Sequence, residues 1–277
     1  MTATQSERAL RDAAAVEPIG PDRFSVYLSQ YYTIMGDRPN GGYLQCVLAN
    51  AAVAAASAQG ATHLHATAIT TNYVGAPVVG PAEVHTEVRK VGRSVSFVHV
   101  TLLQDGRITN ESLVTLGTLH EHAEPRYLDA TPPELTPLDE CRQSTGGEEI
   151  NIMSVVDQRL DPSCAGWTIG HLSDKAEVKA WLKLNDGDAA WSVWSLLFAS
   201  DAMPPATFPI GSSGWVPTLQ LTSYIRQIPV GEWLSVRQWC VVISDDLVDE
   251  RAELFDERGQ LVASASQLAM VRFPQSS

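Results

Sequence analysis

The chain repeats itself, and that limits its fold more than any other feature. Residues 71–80 read TNYVGAPVVG and residues 222–231 read TSYIRQIPVG, which sets Tyr73 and Tyr224 151 residues apart. A period this long in a chain of 277 residues implies two copies of one structural unit. The flanks agree. After the first copy come three strand-like runs, 83–91, 94–104 and 108–120, with a hairpin signal at Asp105-Gly106. After the second come 233–243, 247–255 and 261–273, with Arg258-Gly259 at the equivalent turn. Val95, Phe97, His99, Thr101 and Leu103 fall on one face of their run, the period of two that a sheet with one covered face requires.

A helix is expected before each copy. Residues 41–59, GGYLQCVLANAAVAAASAQ, are Ala-rich and free of proline. Ala is the best helix former, and a helix apolar nearly all round is a buried one. The counterpart is 189–203, AAWSVWSLLFASDAM, closed by Pro204-Pro205. A short strand should open each half, near 24–31 and 153–160, with a further strand at 176–184 before the second helix. The Pro-, Glu- and Thr-rich stretch 121–150 reads as a linker, long enough to cross the molecule if one sheet joins the halves. The expected units are therefore 1–120, the linker 121–150, and 151–277. A central helix wrapped by an antiparallel sheet, repeated once, is the α+β double-hotdog pattern.

Composition removes several classes of function. The net charge of −13 and the scattered Lys and Arg argue against nucleic acid, which needs clustered cations. A few local cations would still suffice for an anionic small molecule. Cys46, Cys141, Cys164 and Cys240 are too widely spaced for a metal knuckle or a redox pair. The pairs His63/His65 and His120/His122 lack nearby ligands, so no metal is expected. No stretch is apolar enough to span a membrane and the first 16 residues do not read as a signal peptide, so the chain is expected to be cytoplasmic. Gly211-Ser212-Ser213-Gly214 lacks the spacing of a serine-hydrolase elbow.

One carboxylate stands out. Asp201 sits among Leu196, Leu197, Phe198 and Met203, and an apolar setting is costly for a charge that has no hydrogen bonds or task. The repeat offset places Asn50 opposite it, similar in shape but unable to act as a base. One of two pseudo-equivalent sites would then be active and the other degenerate. Asn40-Gly41-Gly42, at the first helix start, offers backbone N–H groups for a developing oxyanion, or simply an N-cap.

In three stretches the second half resembles the bacterial acyl-CoA thioesterase II family. These are Leu197-Phe198-Ala199-Ser200-Asp201 with Ala202-Met203-Pro204; Pro217-Thr218-Leu219-Gln220-Leu221-Thr222-Ser223; and Gly259-Gln260-Leu261-Val262-Ala263-Ser264 with Gln267. Asn40-Gly41-Gly42 and the Ala-rich helix resemble the start of its first helix. The resemblance implies hydrolysis of acyl-CoA by a water held by an Asp, a Thr and a Gln, here Asp201, Thr218 and Gln267. It implies no cofactor beyond the coenzyme A of the substrate, and a homo-oligomer in which double hotdogs pair through their sheets. The family's strand often continues Asp-His-Ser after its Thr, whereas this chain has Gln220-Leu221-Thr222. The alternatives are an acyl-CoA-binding protein without turnover and a hotdog enoyl-CoA hydratase. The hydratase pairs its Asp with a His five residues on, and position 206 is Ala.

Overall fold

A computed structural model describes residues 8–121, 123–145, 150–187 and 190–274. The first half begins with α1 (Leu10–Ala13), β1 (Glu17–Pro18), β2 (Arg23–Leu28) and a small hairpin of β3 (Thr33–Met35) and β4 (Arg38–Pro39). Then come α2 (Gly41–Ala58), β5 (His65–Tyr73), β6 (Gly80–Val91), β7 (Ser96–Gln104) and β8 (Arg107–Gly117). The second half has β9 (Arg142–Gln143), β10 (Val156–Leu160), β11 (Glu177–Leu184), α3 (Ser195–Ala199), β12 (Thr218–Ile225), β13 (Trp233–Ser244), β14 (Leu247–Phe255) and β15 (Leu261–Met270). In each half a helix is followed by four strands, a double hotdog.

Thirteen strands form one antiparallel sheet in the order β1-β2-β6-β7-β8-β5-β12-β15-β14-β13-β11-β10-β9. The halves join through β5 and β12, the strands that carry the repeated segments. Thr70 pairs with Thr222 and Thr71 with Leu221. A shift of 151 residues exchanges these two pairs, so the junction is a local pseudo-twofold. Beside it, on the covered face, Gln45 of α2 donates to Thr71 Oγ1 (3.2 Å) and the Leu221 carbonyl (3.1 Å) and accepts from Ser223 Oγ (2.7 Å). Gln45, Thr71 and Ser223 are fully buried, and a buried polar network that is satisfied fixes one arrangement of the halves. The linker crosses toward the far edge, where Thr136 N donates to Asp161 and Trp181 Nε1 to the Thr136 carbonyl. It also contributes the edge strand β9, which the sequence reading did not foresee.

The inward face of β7 is Ser96, Val98, Val100 and Leu102; the set Phe97, His99, Thr101 and Leu103 faces outward, half-buried. The β7–β8 turn uses Asp105 and Gly106, both at positive φ (51° and 72°), as a tight two-residue hairpin needs. One continuous core holds Val47 and Leu48 of α2, Leu196 and Phe198 of α3, and inward residues of both half-sheets.

The second helix departs from expectation. Instead of residues 189–203, only Ser195–Ala199 are α-helical, and residue 189 lies outside the described residues. Ser192 and Ser195 bond one another's backbone N–H, which starts the helix late. Asp201 therefore lies not in a helix but in the turn just beyond one, with Asp201 N donating to the Phe198 carbonyl (3.1 Å).

Candidate active site

Asn40 caps α2: its Oδ1 accepts from Tyr43 N (2.9 Å). Its Nδ2 reaches across to the turn after α3, donating to the Asp201 carbonyl (2.7 Å) and to Asp201 Oδ2 (3.1 Å). Gly42 N donates to the same Oδ2 (2.9 Å). The start of α2 is thus clamped against the end of α3. A Cβ at Gly42 would stand 2.6 Å from the Leu197 carbonyl oxygen, and one at Gly41 2.8 Å from both Asp201 Oδ2 and Tyr73 Oη. The glycines are needed here for helix-to-helix and helix-to-carboxylate contact. Tyr73 Oη donates to the Gly41 carbonyl (2.8 Å) and closes the cluster.

These contacts pull the Asp201 proton affinity in opposite directions. Burial pushes the carboxyl up, the N–H groups of Gly42 and Gly41 and the Asn40 amide pull it down, and the nearby Glu250 charge raises it, for a pKa of about 7. That value suits a group that must accept a proton at neutral pH and return it.

Thr218 and Gln267 meet on the adjoining strands. Thr218 Oγ1 donates to Gln267 Oε1 (3.1 Å), and Gln267 Nε2 donates to Glu250 Oε2 (2.6 Å). Neither makes a hydrogen bond to Asp201 among the described residues; both line, with Asp201, Asn40 and Gly41, one cavity of about 660 Å³. That volume lies in the range of small-molecule sites. Its apolar wall includes Leu44, Leu160, Met203, Trp167, Phe208 and Trp215, while Arg38 and Arg142 add cations. Trp191 packs in the core instead.

Sequence reasoning missed Glu250, which is 1% exposed on β14. Its signal was present: Val248, Glu250, Ala252 and Leu254 alternate along the strand, and Glu250 is the one charge on the inward face.

The opposite site is closed. Asn50 Nδ2 donates to the Ala14 carbonyl (2.8 Å) and Tyr43 Oη to the Ala13 carbonyl (2.7 Å). Tyr32 Oη donates to the Arg8 carbonyl (2.8 Å), and Leu10 N to Asp186 Oδ2 (2.7 Å). The α1 segment packs over this position, with Leu10 and Ala14 fully buried.

Among the described residues no group of three His, Cys, Asp or Glu is arranged to hold a metal. His63 instead bonds Ser96 Oγ (2.9 Å), and His65 Nδ1 accepts from Leu119 N (2.8 Å); His122 lies outside the described residues. No described helix is long and apolar enough to cross a membrane.

Several known proteins are similar to this chain. A protein of Thermobifida fusca YX, provisionally described as a thioesterase II, is 34% identical, with 95% of this chain and 97% of that one covered at a TM-score of 0.86. A conserved protein from Alicyclobacillus acidocaldarius, described as having a hot dog fold, shares the fold at 18% identity, TM-score 0.79, over 96% of this chain and 98% of its own. An uncharacterized protein of Mycobacterium tuberculosis is 29% identical over 94% of this chain and 97% of its own length. The family model for the acyl-CoA thioesterase N-terminal domain matches residues 29–120, and that for the C-terminal domain matches residues 129–271. The chain belongs to the acyl-CoA thioesterase family and spans both of its domains.

Proposed function

We propose that this chain hydrolyses acyl-CoA to the free acid and coenzyme A, with the water activated by Asp201 and held by Thr218 and Gln267. One observation carries the reading. A carboxylate with a pKa of about 7 opens, with the Thr218–Gln267 pair, onto one largely apolar cavity. In the step envisaged, Asp201 takes a proton from water as its oxygen bonds to the thioester carbonyl carbon. The C–S bond then breaks, and the thiolate of coenzyme A takes that proton. Donors at the start of α2, Asn40, Gly41 and Gly42, would serve the developing oxyanion. In the free enzyme they hold Asp201, so an arriving carbonyl shares donors with the carboxylate.

Trp215, Phe208 and Met203 would receive the acyl chain, and Arg38 and Arg142 the anionic end of the substrate. No cofactor beyond the coenzyme A moiety is required. The outward face near the junction exposes Leu113, Tyr224 and Leu268, and pairing of two copies there would give the expected homo-oligomer. The test is thiol release from a series of acyl-CoA chain lengths, with Asp201→Asn alongside. Release that depends on Asp201 supports the reading. Release unchanged in Asp201→Asn overturns the residue assignment, and ligand binding without release favours a binding protein.

A further inference from the structure

We propose that Glu250 is a positioning residue that fixes which end of the Gln267 side-chain amide faces Thr218 and the water. This rests on the thioesterase reading for its consequence in turnover, and on the geometry alone for the positioning itself. Glu250 is nearly fully buried, and both of its oxygens are engaged. Oε1 accepts from Ala206 N (2.8 Å), while Oε2 accepts from Gln238 Nε2 (3.1 Å) and Gln267 Nε2 (2.6 Å). Burial pushes the Glu250 carboxyl up, and the converging donors of Gln267, Ala206 and Gln238 pull it back down; in its ionised form it only accepts, and so commits the NH₂ end of Gln267 to itself. The carbonyl end is left for Thr218 Oγ1, which donates to it at 3.1 Å. Thr218 in turn keeps its oxygen lone pairs for an incoming donor such as water.

Thr218, Gln267 and Glu250 form one directed chain, in which Gln267 passes acceptor character from a buried charge to the cavity wall. Without the charge, the amide could turn over and present NH₂ to Thr218, reversing the polarity of everything beyond it. Ala206 is the position where a hydratase would carry its His, and here its backbone N–H holds Glu250 instead. Asp201 feels Glu250 as a like charge; the other groups facing it are the Tyr73 hydroxyl, Asn40 and the N–H groups of Gly41 and Gly42.

The test compares wild type with Glu250→Gln and Glu250→Asp by acyl-CoA kinetics and by side-chain amide NMR. Glu250→Gln is expected to lower kcat by about tenfold or more with KM little changed, as loss of water positioning would. Its pH–rate midpoint should move to lower pH, because a like charge beside Asp201 is gone. Glu250→Asp should recover part of the rate. In wild type the Gln267 side-chain NH₂ signals, identified by their loss in Gln267→Ala, should lie away from the free-amide position and return there in Glu250→Gln. A free-amide position in wild type overturns the proposal even if the variants fail to fold. Unchanged kcat and pH midpoint in Glu250→Gln overturn it as well. Absence of thiol release from wild type sinks the thioesterase reading instead, and leaves the NMR test standing.

Discussion

The two pseudo-equivalent positions, Asp201 and Asn50, have opposite surroundings. Asp201 opens onto a cavity of about 660 Å³, its carboxylate held by Asn40 and Gly42. Asn50 donates to the Ala14 carbonyl beneath the α1 segment and does not line that cavity. One duplicated unit thus opens onto a cavity at one position and packs under α1 at the other. The exchange of a carboxylate for an amide fits this division: an amide can donate to a backbone carbonyl, whereas an ionised carboxylate cannot. The open site carries the cost of a carboxyl with a raised pKa, and the sealed one adds burial of Leu10 and Ala14 to the common core.

The sharpest way to break this contrast is at Asp201. Asp201→Asn should reduce kcat by roughly 10²- to 10⁴-fold, the usual worth of a general base. Adding Asn50→Asp to that variant should restore nothing, because α1 packs over the second position. Recovery of thiol release in the double variant would show that the two sites are interchangeable.

The seal is tested by Leu10→Ala, which should cost about 2–5 kcal/mol of stability for a fully buried leucine and leave kcat near wild type. A large loss of rate with unchanged denaturant stability would place α1 in catalysis. Asn50→Asp alone should cost about 1–3 kcal/mol, since it sets an acceptor against the Ala14 carbonyl; thermal melts at neutral pH read this directly.

The pH dependence separates the positions more gently. If ionised Asp201 is the base, kcat should fall as pH drops through about 7. The stability effect runs the other way. Its folded pKa is raised, so the neutral form is favoured in the fold, and that stabilisation fades as pH rises from the unfolded value toward about 7. Asp201→Asn should therefore gain in Tm over wild type across this window. The smallest effect concerns neither site: Leu113→Lys with Leu268→Lys should weaken self-association, seen by light scattering, without abolishing turnover.

Much of the fold is legible in the chain, because strands and hairpins are local. The segments around Tyr73 and Tyr224, the alternation in β7 and β14, and Asp105-Gly106 all carry their geometry in residue type and spacing. The length of α3 is not legible in that way. Residues 190–203 have helical composition, yet Ser192 and Ser195 compete for the backbone and the turn at Asp201 is set by contact with α2. The sealing role of α1 is equally silent, since Tyr32, Tyr43 and Asn50 all bind it through backbone carbonyls, which every sequence has.

The sequence by itself determined a duplicated helix-and-sheet unit, a carboxylate in an apolar setting, and an amide at the matching position. Tertiary structure decided that Asp201 is held by the start of the other half's helix, that Glu250 anchors Gln267, and that Asp201 but not Asn50 lines the cavity of about 660 Å³. The physical reason is range. Periodicity and turn chemistry act over a few residues, whereas the pairs Asn40–Asp201, Glu250–Ala206 and Asn50–Ala14 are brought together only when the sheet and its helices close into one core.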